Sequence, residues 1–315
     1  MKTHKDAMIL VVPFANVAPT IATTIQSIQS QTMGRFRCVL IDDASQDDTV
    51  ARIQPLIASD DRFSLIQQPV RRGGALPNVV HGLSVMPVLD HTICVVIDGD
   101  DWLLHDQALA TIQQVYNTTD AQLTYGNFVT HPQGQHGWVQ PFPDWVIANN
   151  VYRCVYPFFM GPLRTFRGGL WAQLSMDWLR GPDGQFFTAS GDCAMMVALA
   201  ELAKGCMHCV TEPLYVVNRG AGHHVDMVRP NEQRRHAEWI RRMPTADASR
   251  QSAADRWASL TMDQWQSLLQ LEQRMMAAFD AQGISFFPDS FDPHRHSDLY
   301  QQYQSALHKR PSPMA

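Results

Sequence analysis

No stretch of this chain approaches the roughly 20 consecutive apolar residues that a membrane-spanning helix needs. The amino terminus is polar through Ala7, and the apolar run Met8–Val12 stops at Pro13, too short for the core of a secretory leader. The sequence therefore predicts a soluble, cytoplasmic protein, with peripheral contact at a membrane left open. Positive charge is also in short supply. Lys and Arg number 25 against 30 Asp and Glu, a net charge of −5, and no basic cluster reaches the density of a phosphate-backbone binder, so no nucleic-acid partner is expected. Cysteines number six and are scattered. Cys38 and Cys94 lie in apolar, strand-like runs, where a free thiol behaves as a small hydrophobe. This favours a reducing compartment over a disulfide framework. Cys206, His208 and Cys209 have metal-like spacing, yet no second Cys pair accompanies them, so free thiols without zinc are expected. Two nucleotide motifs are missing as well. The turn Pro13–Pro19 after the first apolar run is not G-x-G-x-x-G, and G-x-x-x-x-G-K-[ST] occurs nowhere, which removes NAD enzymes and P-loop NTPases.

What the 315 residues do contain is an alternation of short apolar runs with helical patterns. Met8–Val12, Phe36–Ile41, Phe63–Ile66 and Ile93–Ile97 read as strands. Ile21, Ile25 and Ile28 mark a helix from about Pro19 to Gln31, and Val50, Ile53 and Ile57 mark a second. Val79, Leu83 and Met86 suggest a third, and Leu109, Ile112 and Val115 a fourth, followed by a strand near Gln122–Tyr125. This order predicts an α/β fold with a mainly parallel, doubly wound sheet and helices on both faces. From Pro132 to Trp178 glycine, proline and aromatics are dense and periodicity is poor, so loops over the sheet's carboxyl edge are expected. The aromatics between Trp138 and Trp171 could stack on a ligand or form core. Asp192–Leu202 reads as a helix and Pro213–Val217 as a strand. Thr261 and Gln264 form a capping box for a helix continuing through Trp265, Leu268, Leu269, Glu272, Met276 and Phe279 to a stop at Gly283. Residues 305–315 read as a frayed tail. The expected organisation is an α/β half over 1–130, a loop-rich second half of the same domain over 131–228, and a helical extension over 229–315.

The acidic loop after the fourth strand carries the most chemistry. Asp98, Asp100 and Asp101 follow the buried run Ile93–Ile97, spaced only by Gly99. Acids are depleted within strands, so these sit at a strand's carboxyl end, where open α/β sheets bind ligands. Crowded carboxylates repel one another without a counter-charge. A divalent cation bridging to a phosphate relieves this, since Mg²⁺ is held by one or two carboxylates plus substrate phosphates. The competing local reading is a solvated acidic turn that starts the next helix. Asp42 and Asp43 end the second strand and Pro13–Asn16 the first, so a parallel sheet gathers all three segments on one edge.

In the segments Ile9–Asn16, Ser27–Thr32, Val39–Asp47 with Thr49, Arg72–Asn78 and Val96–Asp101, the chain resembles the inverting family 2 glycosyltransferases of the GT-A fold. The resemblance runs over roughly residues 8–225 and leaves the last part of the chain uncovered. It implies that Pro13, Phe14, Ala15 and Asn16 line a nucleotide pocket and that Asp42 or Asp43 faces the base. Arg71 or Arg72 would approach the base or diphosphate, with Gly74 and Asn78 in the same loop. Asp98, beside Gly99, would contact the ribose and Asp100 a Mn²⁺ or Mg²⁺ ion. Asp192 matches the catalytic aspartate of the family's Glu-Asp pair, while Gly191 replaces the preceding acid. A helix N-cap is the local alternative for Asp192. His223, in the loop Arg219–His224, corresponds to a metal ligand in some members.

The implied donor is a nucleotide-diphosphate sugar, UDP-linked in many members, and the acceptor a saccharide or other hydroxyl. Transfer through an oxocarbenium-like transition state with inversion needs one base and no carboxylate nucleophile. Two other classes compete. A nucleotidyltransferase on a similar sheet usually carries a glycine-rich loop with Arg and Lys after the first strand, and Pro13–Pro19 has neither. A non-catalytic nucleotide-sugar-binding or scaffold protein would differ by lacking slow, Asp100-dependent hydrolysis of a donor. Oligomeric state is not legible.

Overall fold

The computed structural model describes residues 8–155, 158, 160–221 and 229–281. Its centre is an eight-stranded sheet in the order β3-β2-β1-β4-β7-β6-β8-β5. The strands are β1 (Met8–Phe14), β2 (Phe36–Asp42), β3 (Phe63–Gln67), β4 (Ile93–Val96), β5 (Trp102–Leu103), β6 (Leu123–His131), β7 (Arg164–Arg167) and β8 (Met207–Asn218). β1 pairs in parallel with both β2 and β4, and β2 with β3. All seven residues of β1 are buried, as a strand covered on both faces requires.

Helices α1 (Ile21–Gln29), α2 (Thr49–Ile57), α3 (Ala75–Val85) and α4 (Ala108–Thr118) make the crossovers of this first half. Ile21, Ile25 and Ile28 of α1 are fully buried, the i, i+4, i+7 stripe visible in the sequence. Pro19, expected in the first turn of that helix, lies ahead of it. α3 lies close on the sheet, because a Cβ at Gly82 would fall 2.6 Å from Ile41 Cδ1 and 2.7 Å from Val11 Cγ1.

The second half of the sheet is mixed. β7 runs antiparallel between β4 and β6, whereas β6 and β8 are parallel. Two strands are longer than their sequence signal: β6 continues to His131 and β8 begins at Met207. The stretch expected as loops contains β7 and the short helices α5 (Asp144–Ala148) and α6 (Gly168–Ala172). β7 escapes periodicity because it has four residues and carries an arginine at each end. The aromatics there are packed internally: Trp138 meets Phe128 edge-on at 5.1 Å, and Trp171 stacks on Phe166 at 5.5 Å.

α7 (Gly191–Ala203) is buried along almost its whole length. Beyond β8 lie α8 (Pro230–Arg242), α9 (Ala253–Ser259) and α10 (Met262–Ala281). They are joined to α7 through buried charge. Arg153 donates from Nε to Glu201 Oε1 at 2.7 Å and from Nη2 to Glu201 Oε2 at 2.8 Å, and from Nη1 to the Ile240 carbonyl at 2.7 Å. Glu201 Oε2 also accepts the Ala246 amide at 2.7 Å. Arg256 donates to the carbonyls of Arg241 and Met243, which pins α9 to the end of α8. The capping box expected at Thr261 is present: its amide donates to Gln264 Oε1 at 2.8 Å and its hydroxyl accepts the Gln264 amide at 3.3 Å. Leu268, Leu271 and Met275 of α10 join the main core. Gly283 and residues 305–315 lie outside the described residues.

Candidate functional site

The carboxyl ends of β1, β2 and β4 open onto a cleft of about 800 Å³. On the side of the β1 and β2 ends the chain turns are bonded to one another. Asn16, in the left-handed region at φ 55°, donates its amide to Ser45 Oγ at 2.9 Å and accepts the Gln46 amide on Oδ1 at 2.8 Å. The Val17 amide donates to Thr49 Oγ1 at 2.9 Å and the Ala18 amide to Asp47 Oδ2 at 3.2 Å. Burial raises the Asp47 carboxyl, but hydrogen bonds from Thr49 and Ala18 outweigh it and hold the group below its ordinary value.

The paired acids at the end of β2 have separate places. Asp42 is buried and accepts the Ser45 amide at 2.9 Å, closing its own turn; it is not among the cleft residues. Asp43 lines the cleft, and its two oxygens accept the amides of Arg72 at 2.7 Å and Gly73 at 3.2 Å. The carboxylate thus shapes the loop that brings Arg71 to the cleft, while Arg72 contributes its backbone and lies outside the lining. Gly73 has φ 87°, and a Cβ at Gly74 would lie 2.9 Å from the Thr188 carbonyl oxygen. Asn78 donates to the Gly74 carbonyl at 2.9 Å; its Oδ1 is buried without a partner.

The acidic loop is fixed from three directions. Gly99 donates to the Pro13 carbonyl at 3.1 Å, and a Cβ there would sit 2.3 Å from Phe14 Cβ, so only glycine permits this approach. Thr24 Oγ1 lies 2.7 Å from the Asp101 carbonyl and 3.0 Å from that of Gly99. From β8, the Tyr215 hydroxyl accepts the Asp98 amide at 2.9 Å, and Asn218 donates its amide to Asp101 Oδ1 at 2.8 Å and Nδ2 to the Asp100 carbonyl at 3.1 Å. Burial, reinforced by the charges of Asp100 and Asp98, pushes the Asp101 carboxyl well above its ordinary value. Asp101 therefore belongs to the scaffold, and the half-buried Asp98 and Asp100 are the acids offered to a ligand. Among the described residues no three His, Cys, Asp or Glu side chains converge as a complete metal cage. A pair of carboxylates at a strand end fits Mg²⁺ or Mn²⁺, which completes its shell with substrate phosphate and water. His223 lies outside the described residues.

On the far side the cleft is bounded by the start of α7 and by α8. Ser190, at φ 54°, precedes α7 and makes no side-chain cap bond. Asp192 is the second residue of the helix and so not its N-cap. Its Oδ2 is 2.7 Å from Arg164 Nη2 and its Oδ1 accepts the Cys193 amide at 2.9 Å, with 42% of its side chain exposed. A Cβ at Gly191 would lie 2.6 Å from Leu76 Cβ, so α3 crosses where the family's preceding acid would stand. α8 holds the approach to α7: Glu232 bonds the Thr188 hydroxyl and Arg229, Ser190 Oγ donates to the Gln233 carbonyl at 3.0 Å, and His236 Nδ1 lies 3.0 Å from the Ala189 carbonyl oxygen. Arg229 and Gln233 line the cleft.

Of the residues singled out in the sequence, Pro13, Phe14, Ala15, Asn16, Asp43, Arg71, Gly74, Asn78, Asp98, Gly99, Asp100 and Asp192 line this one cleft. Arg164, Arg229, Gln233, Tyr215 and Asn218 were not anticipated. The last two sit on a strand whose core, Pro213–Val217, was legible; Arg164 was hidden with β7. None of the three tryptophans Trp138, Trp145 and Trp171 lines the cleft.

The mixed sheet with an acid-lined cleft at its carboxyl edge is a fold of the GT-A type. Residues 9–171, more than half the chain, match glycosyl transferase family 2, and the chain belongs to that family. Glycosyltransferase GlyG of Streptococcus pneumoniae serotype 4 is 26% identical over 124 residues, which is 39% of this chain and 40% of that protein. The match thus spans well under half the length of that curated relative. TarS of S. aureus, solved with UDP-GlcNAc, superposes with a TM-score of 0.54 at 13% identity over 96% of this chain and 79% of that one. The mannosyltransferase PcManGT of Pyrobaculum calidifontis, solved with GDP-Man and Mn²⁺, gives 0.51 at 17% identity over 98% and 87%. Both likenesses concern the fold. Among the described residues no helix is long and apolar enough to cross a membrane.

Proposed function

We propose that the protein transfers a sugar from a nucleotide-diphosphate donor, UDP-linked in the first instance, to a hydroxyl acceptor with inversion at the anomeric carbon. One observation carries this reading: a single cleft runs from the β1 and β2 turns past Asp98 and Asp100 to Asp192. The nucleoside lies against Pro13–Asn16, with Asp43 and Arg71 reading the base. Asp98 takes the ribose and Asp100 the divalent cation. A Mg²⁺ or Mn²⁺ ion held by Asp100 would supply positive charge to stabilise the diphosphate leaving group. Asp192 accepts the proton of the attacking hydroxyl, for which it must come within about 2.6–3.2 Å of that oxygen or act through one water. Its position inside the first turn, open to the cleft, supports that role over capping. Family membership and neighbours solved with nucleotide sugars support the donor class.

The test is a melting-temperature panel of UDP, GDP, CMP and dTDP with and without Mn²⁺, since ligands bound by the folded state alone raise it. UDP with Mn²⁺ is expected to give the largest rise. Equal rises with EDTA would remove the metal role of Asp100, and no rise with any nucleotide would reject the donor class.

A further inference from the structure

We propose that Arg164 is a positioning residue for Asp192, fixing the carboxylate toward the acceptor side of the cleft. The proposal rests on Asp192 as the base. The sheet dictates where Arg164 stands. In the antiparallel β4–β7 ladder it is the partner of Val96, so it lies beside the end of the strand that delivers Asp98 and Asp100. From there its side chain crosses to the start of α7, a helix from a distant part of the sequence.

The guanidinium is held at both ends. Its Nε donates to the Met160 carbonyl at 3.0 Å, and Nη2 reaches Asp192 Oδ2 at 2.7 Å. Only 13% of the Arg164 side chain is exposed, against 42% for Asp192. The anchored partner is therefore the arginine and the oriented one the carboxylate. The Cys193 amide holds the other oxygen, so both Asp192 oxygens have a fixed donor and each keeps a lone pair for the incoming hydroxyl. A planar guanidinium with two separate bonds sets direction in a way a flexible ammonium does not. The same side chain lines the cleft between the metal-side acids and the base, so it ties the distance between the two reacting ends to the rigid β4–β7 ladder.

The experiment compares Arg164→Gln, Arg164→Lys, Asp192→Asn and the Arg164→Gln/Asp192→Asn double variant. Turnover is read as Mn²⁺-dependent release of UDP from UDP-GlcNAc with water as acceptor. Arg164→Gln should lower kcat by roughly 10- to 100-fold, the scale of a small misplacement of a reacting group. Donor KM should change by less than about twofold, because the arginine does not bind the donor. Arg164→Lys should recover part of the loss, and Arg164→Gln should cost nothing further once Asp192 is Asn. A rise in donor KM at constant kcat would overturn the proposal and make Arg164 a diphosphate ligand, as would losses that multiply in the double variant. Asp192→Asn at full turnover would sink the base assignment itself, a separate result. A crystal structure of Arg164→Gln decides independently of turnover: an Asp192 carboxylate swung from its place supports the proposal, and one that keeps its place overturns it.

Discussion

The two walls of the cleft are built in different ways. The wall proposed to hold the nucleotide is made of turns that each follow a strand directly, and its bonds join neighbours at one sheet edge: Asn16 to Ser45, Val17 to Thr49, Asp43 to Arg72 and Gly73. The wall proposed to face the acceptor is assembled from pieces far apart in the chain: Arg164 on β7, Asp192 on α7, Arg229 just before α8 and Gln233 on it. The first wall is bonded mainly through backbone amides, the second mainly through side-chain hydrogen bonds and ion pairs. Local backbone bonding leaves a pattern in the sequence, because strand, turn and acid must follow one another. Charge pairing across distant elements leaves none.

The largest expected effect sits on the acceptor wall. Asp192→Asn keeps a hydrogen-bonding side chain at that position, so folding and nucleotide-induced stabilisation should stay near wild type while transfer falls by roughly 10²–10⁴-fold, the usual scale of general base catalysis. Normal turnover in the folded variant would move the base to another acid of the second half, such as Asp177 or Asp183, although neither of these lines the cleft.

The next largest concerns what holds α7 in place. Arg153 and Glu201 are buried and paired bidentately, and burial raises the Glu201 carboxyl despite the nearby guanidinium. Arg153→Met leaves a buried carboxylate with one remaining amide donor and should cost about 3–5 kcal/mol, the usual penalty for removing one partner of a buried pair. Denaturant unfolding measures this; a loss below about 1 kcal/mol would show that the acceptor wall does not depend on its buried charge.

On the nucleotide wall the corresponding weak point is steric. Gly99→Ala places a methyl carbon 2.3 Å from Phe14 Cβ. The strand end must shift, at roughly 1–3 kcal/mol for an overpacked site, and nucleotide affinity should fall with it because Phe14 lines the same cleft. Unchanged stability and affinity would mean that this wall is more compliant than its bonding suggests.

This contrast also explains what was legible in advance. β1 to β4, the helices between them and the acids at their ends follow from apolar runs punctuated by Asp and Pro. The assignment of Asp43 rather than Asp42 to the cleft did not follow, because strand pleat and turn geometry decide which of two adjacent acids points outward. Asp192 was singled out by the family resemblance at the start of its helix, whereas Arg164 was not: a four-residue strand inside a stretch rich in Gly, Pro and aromatics has no periodicity to betray it. Gly191 looked like a departure from the family's acid pair. Its cause is three-dimensional, since Leu76 of α3 fills the space where a side chain would begin.

The smallest expected effect is a difference in how the two ends of the chain respond to pH. In the nucleotide half, the hydrogen bonds and charge of Arg62 hold the Asp60 carboxyl below its ordinary value. A depressed carboxyl contributes stability that is present above its unfolded pKa and lost as pH falls through the folded one, so that half weakens in acid. On α10 the sign reverses. Burial pushes Glu272 up from 4.5 to about 7, with Arg241 pulling the other way. As pH rises past 4.5 the unfolded chain releases this proton first and the native chain retains it, so native stability falls until the folded group has also ionised near 7. Glu272→Gln removes that slope. The variant should match wild type near pH 4 and exceed it at pH 8 by about 1–2 kcal/mol, part of the full shift being lost to solvent at a half-buried site. Melting temperatures of both proteins from pH 4 to 8 test this. Parallel curves would mean that Glu272 ionises as freely in the fold as out of it, and that α10 packs more loosely on the acceptor side than the burial of Leu268, Leu271 and Met275 implies.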